Sequence, residues 1–186
     1  ENLYVVVFCL PKLTLWASST REDMLPLSRT PDGAAWAPLV ARALVARGDV
    51  EHAAVLDAED GAVYASTTDF GPRIYMMGVA HEDGSEEEEE EEELINEAID
   101  IRTLVIDGKR PQRGLRINGE KYVILKASRE ASDPSRAART LVYGKKRAGG
   151  CCLAGSEKTI VVATFDENEG HAAGGCNRAV EELAAY

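Results

Sequence analysis

The chain has few of the residues that chemistry needs. Histidine occurs three times, as His52, His81 and His171, and none stands with a Ser or Cys nucleophile and an acid in one motif. The glycine-rich run at residues 169–175 lacks the Lys-Ser/Thr ending of a phosphate-binding loop. The four cysteines, Cys9, Cys151, Cys152 and Cys176, show no metal-ligand spacing. Adjacent Cys151 and Cys152 on a strand would point to opposite faces, so free buried thiols are expected. No apolar run approaches the roughly 20 residues of a membrane-spanning helix. With so little convergent polar chemistry, no catalysis, cofactor or metal is expected.

The apolar fraction, by contrast, is 45%, ample for the core of a one-domain chain of 186 residues. Charge is unevenly spread. Net charge is −11, but eight glutamates form one run, Glu86 to Glu93. Without them 21 basic residues face 24 acidic ones, a net −3. Residues 109–147 carry twelve Lys/Arg and three Asp/Glu. Such a split suits docking of a partner, or an acidic arm folding back on a basic face. The glutamate run opposes nucleic acid as that partner.

Residues 1–33 differ from the rest and are expected to be an extension, partly ordered at best. Their apolar octet, Leu3 to Leu10, lacks a basic region before it and a clean small-x-small site after it, which weakens a signal-peptide reading. It could instead add a strand to an exposed sheet edge. Residues 32–48 predict a helix, with Trp36, Leu39, Val40, Ala43 and Leu44 at helical spacing and Gly48 as its stop. Residues 53–58 and 62–66 flank Glu59-Asp60-Gly61 and predict a hairpin. Residues 71–94 read as an irregular acidic insert, with a short strand or helix near 73–79. A short helix capped by Asp100 follows and stops at Gly108. Asn118-Gly119 predicts a second hairpin, and residues 127–138 a polar loop. A basic strand from Arg139 then meets a turn at Gly149-Gly150, and residues 158–165 form a buried strand. The last helix is expected from Asn177, its N-cap, to Tyr186, with Glu181 and Glu182 near its start. Sequential hairpins with helices imply an α+β fold, a central antiparallel meander sandwiched by helices.

Five segments in this order resemble profilin, the actin-monomer-binding family, over residues 34–186 apart from the insert. Trp36 stands near the start of the first helix. Ala53-Ala-Val-Leu-Asp-Ala-Glu-Asp-Gly-Ala-Val-Tyr-Ala65 resembles the family's first hairpin, and Gly114-Leu-Arg-Ile-Asn-Gly-Glu-Lys-Tyr-Val-Ile124 its second. Lys145-Lys146-Arg147-Ala-Gly149-Gly150 resembles the basic turn, and Cys176-Asn177 with Val180-Glu-Glu-Leu183 the last helix.

The resemblance implies a non-enzymatic, cytoplasmic, cytoskeleton-associated protein. Its implied partners are monomeric actin, proline-rich proteins such as formins, and phosphoinositides. It places the N- and C-terminal helices on one face of the sheet and short helices on the other. It assigns a poly-proline groove to Trp36, Leu39, Tyr64 and Tyr186. Leu39 replaces a usual Tyr and Tyr64 a usual Trp, so a working but weaker groove is expected. For actin it assigns Lys146, Arg147, Gly174, Asn177 and Arg178, together with Lys121 and Tyr122. The insert departs from the family. It is expected to form an acidic, partly helical protrusion over residues 85–98. Glu93, Leu94, Ile95 and Ala98 would offer an extra partner contact, adding to actin binding or regulating nucleotide exchange.

Overall fold

A computed structural model describes residues 5–7, 15–16, 26–27, 40, 42–79, 91–130 and 139–185. Its strands are β1 (Val5–Val7), β2 (Leu15–Trp16), β3 (Pro26–Leu27), β4 (His52–Asp57), β5 (Val63–Thr67), β6 (Ile74–Val79), β7 (Glu91–Asn96), β8 (Leu115–Ile117), β9 (Glu120–Glu130), β10 (Arg139–Lys146), β11 (Gly149–Gly155) and β12 (Thr159–Asp166). Among the described residues α1 (Glu97–Ile106) and α2 (Ala173–Ala184) are helices. Eight strands make one antiparallel sheet in the order β1-β5-β4-β12-β11-β10-β9-β8. The strands β8 to β12 run as a meander, and β12 then pairs with β4. The expected α+β architecture is therefore present, with one register choice that hairpin logic does not give.

Alternation explains the two layers. Along β12, Val161 and Ala163 enter one core cluster while Ile160 and Val162 enter the other. The first cluster lies under α2 and the helical turn around Val40, and contains Leu44, Tyr64, Cys152, Cys176 and Val180. The second lies under α1 and contains Leu56, Ile101, Leu104, Leu115 and Tyr122. Period-two side chains on a strand buried on both faces require cover on both sides, and the two helix layers supply it. Cys151 and Cys152 fall in opposite clusters, as their spacing predicts.

Local signals hold at the two early hairpins. Asn118 and Gly119 both take positive φ, 56° and 87°, the turn that Asn-Gly favours between twisted strands. Residues 42–43 are helical, and a 3₁₀ turn at Val45–Arg47 ends at Gly48 in the left-handed region. The start of that predicted helix, with Trp36 and Leu39, lies outside the described residues.

Several boundaries differ. β1 pairs with β5 at the sheet edge, Val6 opposite Ser66. β9 runs on to Glu130, so only residues 131–138 remain of the expected polar loop, and they lie outside the described residues. α1 starts at Glu97 with Asn96 as N-cap, its side chain accepting from Ile99 N at 3.3 Å; Asp100 sits inside the first turn. The turn after β10 is Arg147-Ala148, because Lys146 pairs with Gly149. Gly149 and Gly150 are strand residues, and close approach is what demands glycine there. A Cβ on Gly149, whose φ is 143°, would lie 2.1 Å from the Phe165 carbonyl oxygen.

Gly149→Ala is expected to destabilise the fold by about 2–4 kcal/mol in urea denaturation, since backbone must shift to admit the methyl. Gly174→Ala, with nothing within 4 Å of its added Cβ, is expected to be neutral or to stabilise by up to about 1 kcal/mol.

Candidate functional site

The basic turn and the start of α2 meet at one end of the sheet. Gly149 pairs with Asp166, and Glu167 N donates to Ala148 O at 3.3 Å, so the Arg147-Ala148 turn is stitched to the loop after β12. That loop closes on itself: Asp166 N donates to His171 Nδ1 at 3.2 Å, and His171 N to Asp166 O at 3.2 Å. α2 then leaves it. Lys146 and Arg147 thereby share an end of the molecule with Gly174, Asn177 and Arg178. Arg147, Gly174 and Arg178 are exposed, and Asn177 is half-buried.

The helix start is not where its sequence suggests. α2 begins at Ala173, four residues before Asn177, and its N-cap Ala172 has no capping side chain. The cap comes from far away. Asp49, in the loop after the first helix, accepts from Ala172 N at 3.0 Å. Gly175 makes room for it, since a Cβ there would lie 1.9 Å from Asp49 Oδ2. A carboxylate at this end suits both the free N–H groups and the helix dipole. Glu181 and Glu182 lie in the second half of α2 and serve otherwise. Glu181 accepts from Tyr143 O–H, and Glu182 pairs with Arg47. Asp49 is the residue that sequence reasoning missed, because nothing local links it to a helix 123 positions away.

Lys146 is held before any partner arrives. Its Nζ lies 2.9 Å from Glu120 Oε2 and 5.8 Å from the Tyr122 ring centroid. Burial works against its charge, but the Glu120 hydrogen bond and carboxylate outweigh it, and the ammonium sits above the ordinary lysine range. Tyr122 is only 3% exposed and belongs to the core under α1. Its ring supports Lys146 from below, so it is not itself a contact surface; burial pushes its phenol well above the usual range. Lys121, the next residue on β9, faces outward and is exposed.

Of the expected proline groove, Tyr64 alone is described; Trp36, Leu39 and Tyr186 lie outside the described residues. Tyr64 is buried in the cluster under α2, where Leu183 and Ala184 also pack, and its hydroxyl donates to Asp57. The three described thiols are buried, and burial raises each one, Cys176 to about 12. They are protonated packing residues at neutral pH. Among the described residues no group of three or more His, Cys, Asp or Glu side chains could hold a metal ion.

The described part of the expected insert contains two paired strands. β6 and β7 pair antiparallel, Met76 opposite Leu94 and Val79 opposite Glu91. Glu91 to Glu93 are thus strand rather than helix. In a helix the like charges of the run Glu86 to Glu93 would repel at i,i+4, whereas successive strand side chains face opposite ways. The residues expected to offer an extra partner contact are split: Ile95 is 3% exposed, Leu94 is 61% exposed, and Ala98 packs beside Gly61. Glu93 reaches Arg113 Nε at 2.6 Å, one contact between acidic insert and basic stretch. Residues 85–90 lie outside the described residues.

The profilin family model matches residues 34–186. The chain belongs to the profilin family. Solved profilins share its fold. Acanthamoeba castellanii profilin II superposes with a TM-score of 0.55 at 21% identity, over 81% of this chain and 94% of that one. Acanthamoeba castellanii profilin IA gives 0.54 at 23%, with the same coverage. Schizosaccharomyces pombe profilin gives 0.53 at 18%, again over 81% and 94%. Profilins are a non-enzymatic family, and membership in it implies a role in actin-binding regulation. Among the described residues no helix is long and apolar enough to cross a membrane.

Asp49→Ala removes the cap of α2 and should cost about 1 kcal/mol in chemical denaturation. Asp49→Asn, which keeps an acceptor, should recover most of that loss.

Proposed function

We propose that this profilin binds monomeric actin through the end of the sheet formed by the β10–β11 turn and the start of α2, and so regulates actin assembly and nucleotide exchange. The stitching of the Arg147-Ala148 turn to the loop before α2 is the observation that supports this reading most. It gathers Lys146, Arg147, Gly174, Asn177 and Arg178, scattered over the last third of the chain, onto one end. Basic groups there suit an acidic globular partner, steering its approach, while apolar contact supplies affinity. Lys146 comes to the partner already oriented by Glu120 and Tyr122, so little side-chain entropy is lost when it is engaged.

Proline-rich ligands, formins among them, are the second partner class. Tyr64 packs beneath α2 and would underlie a groove between the terminal helices, whose aromatic faces for an extended proline ligand would come from Trp36 and Tyr186. The Tyr64 hydroxyl already bonds Asp57 and the residue is only 6% exposed, so its part is to pack beneath the groove rather than to meet the ligand. The loss of a Tyr at Leu39 points to a weak groove.

Lys146→Glu with Arg178→Glu is expected to weaken binding of monomeric actin at least about tenfold in sedimentation, in line with truncated or reversed interface charges. Unchanged affinity would remove this end of the sheet from the interface. A formin-type proline-rich peptide should quench or shift tryptophan fluorescence at submillimolar to millimolar concentration, and Trp36→Phe should abolish the response. A flat titration of the parent chain would rule the groove out.

A further inference from the structure

Glu120 is placed by a buried carboxylate that lies outside its own ion pair. Glu97, fully buried at the start of α1, holds the turn between β8 and β9. Its Oε1 accepts from Gly119 N at 2.7 Å and from Tyr75 O–H at 3.3 Å, and its Oε2 from Arg73 N at 3.0 Å. Glu97 N in turn donates to Arg73 O at 3.0 Å. Arg73 Nε donates to Asn118 Oδ1 at 2.8 Å, and Arg116 to Gly119 O at 3.3 Å. A buried carboxylate is tolerated only when its acceptor sites are filled, and this one makes a junction of the β6–β7 hairpin, α1 and the Asn118-Gly119 turn. Glu120 is the first residue after that turn, opposite Ile117 on β8.

Lys146 is therefore faced by an anion whose backbone the fold has already fixed. Its Nζ lies 2.9 Å from Glu120 Oε2, with the Tyr122 ring on the same strand beside it. The lysine side chain is 22% exposed and the glutamate 58%, so the cation is the more enclosed member. Glu51 and Asp166 also act on the ammonium, but the hydrogen bond is made by Glu120. A mobile anion that approaches Lys146 must displace Glu120 and then sit beside the charge it displaced. It exchanges one carboxylate contact for another and gains little in water. A folded surface differs. It brings apolar atoms and further acidic groups in fixed positions, and it meets the exposed Arg147 and Arg178 at the same time.

We propose that Glu120 sets the selectivity of the actin end: it occupies Lys146, so that diffuse anions gain little there while a folded acidic surface with several contacts engages it. Glu120 acts through Lys146 and is a positioning residue of that site. The inference rests on the proposed actin site for the identity of the surface, and it adds a residue that lies outside the contacts expected for it.

The test compares a short labelled polyaspartate peptide, followed by fluorescence anisotropy, with monomeric actin in sedimentation. Glu120→Gln should tighten the peptide about two- to fivefold, the range of an exposed ion pair. Actin affinity should change by less, because the freed lysine attracts more strongly but is less well oriented. Glu167→Gln is the control. It removes the same charge from the exposed loop stitched to the Arg147-Ala148 turn, and should move both ligands by the same factor. In a Lys146→Ala background the peptide gain from Glu120→Gln should vanish. A gain of binding does not arise from a damaged fold, so a merely structural role for Glu120 would not produce it. A gain equal for peptide and actin, one reproduced by Glu167→Gln, or one that persists without Lys146 overturns the proposal and leaves net charge as the cause. Unchanged peptide binding overturns it too. If the peptide results hold while Lys146→Glu with Arg178→Glu leaves actin affinity unchanged, the hold of Glu120 on Lys146 stands and the actin reading is what fails.

Discussion

The two central strands are buried on both faces, and most of the architecture follows from that. β11 is buried along its whole length, and β12 along all but its end residues. Strands of this kind cannot lie against solvent on either side, so a helix layer must form on each. α2 and the first helical turn close one side, α1 the other. Close packing also fixes where glycine is needed: Gly149 lets β11 pass the Phe165 carbonyl. Along β11 and the interior of β12 no side chain reaches water, so function is left to other parts of the sheet.

What the sequence could reveal tracks how local each cause is. The Asn118-Gly119 turn, the Asp60-Gly61 turn region and the alternation of β12 are decided within a few residues, and each is visible there. The start of α2 is not. Asn177 is a good cap by composition, but Asp49 reaches the chain at Ala172, five residues earlier, and Gly175 leaves that carboxylate the space it needs. Gly149-Gly150 misled in the same manner. Glycine pairs signal turns by conformational freedom, whereas here the missing side chain matters more than the backbone angle. Family motifs carried the site residues further than propensity did, since motif order reports tertiary neighbourhood without deriving it.

Glutamate plays opposite parts in one short stretch. Glu97 is wholly buried and structural, its oxygens filled by two backbone N–H groups and a phenol. Five positions earlier on the same chain, Glu92 is exposed and makes no fold. Composition alone merges both into one acidic segment. The distinction lies in register: Asn96 caps α1, which points Glu97 into the junction, while the pleat of β7 turns Glu92 outward. Desolvation of Glu97 is offset only because three donors converge on it, so the hairpin is as fixed as that junction.

The same logic bears on how the proposed actin-binding rim would discriminate. An unpaired lysine would attract any anion nearby. Lys146 already has Glu120 at 2.9 Å, with the Tyr122 ring beneath, so a new partner must offer more than charge to displace or share that contact. An exposed pair of this sort contributes little to stability. Its effect falls on selectivity: diffuse anions compete poorly with a carboxylate held in place, while a surface whose own shape brings an acidic group and apolar atoms together loses less by engaging it. Arg178 and Arg147, exposed at the same end, remain to attract such a surface from a distance. On that proposal steering and selection would fall to different residues, and a charge change at Glu120 would shift the balance between them without touching the partner.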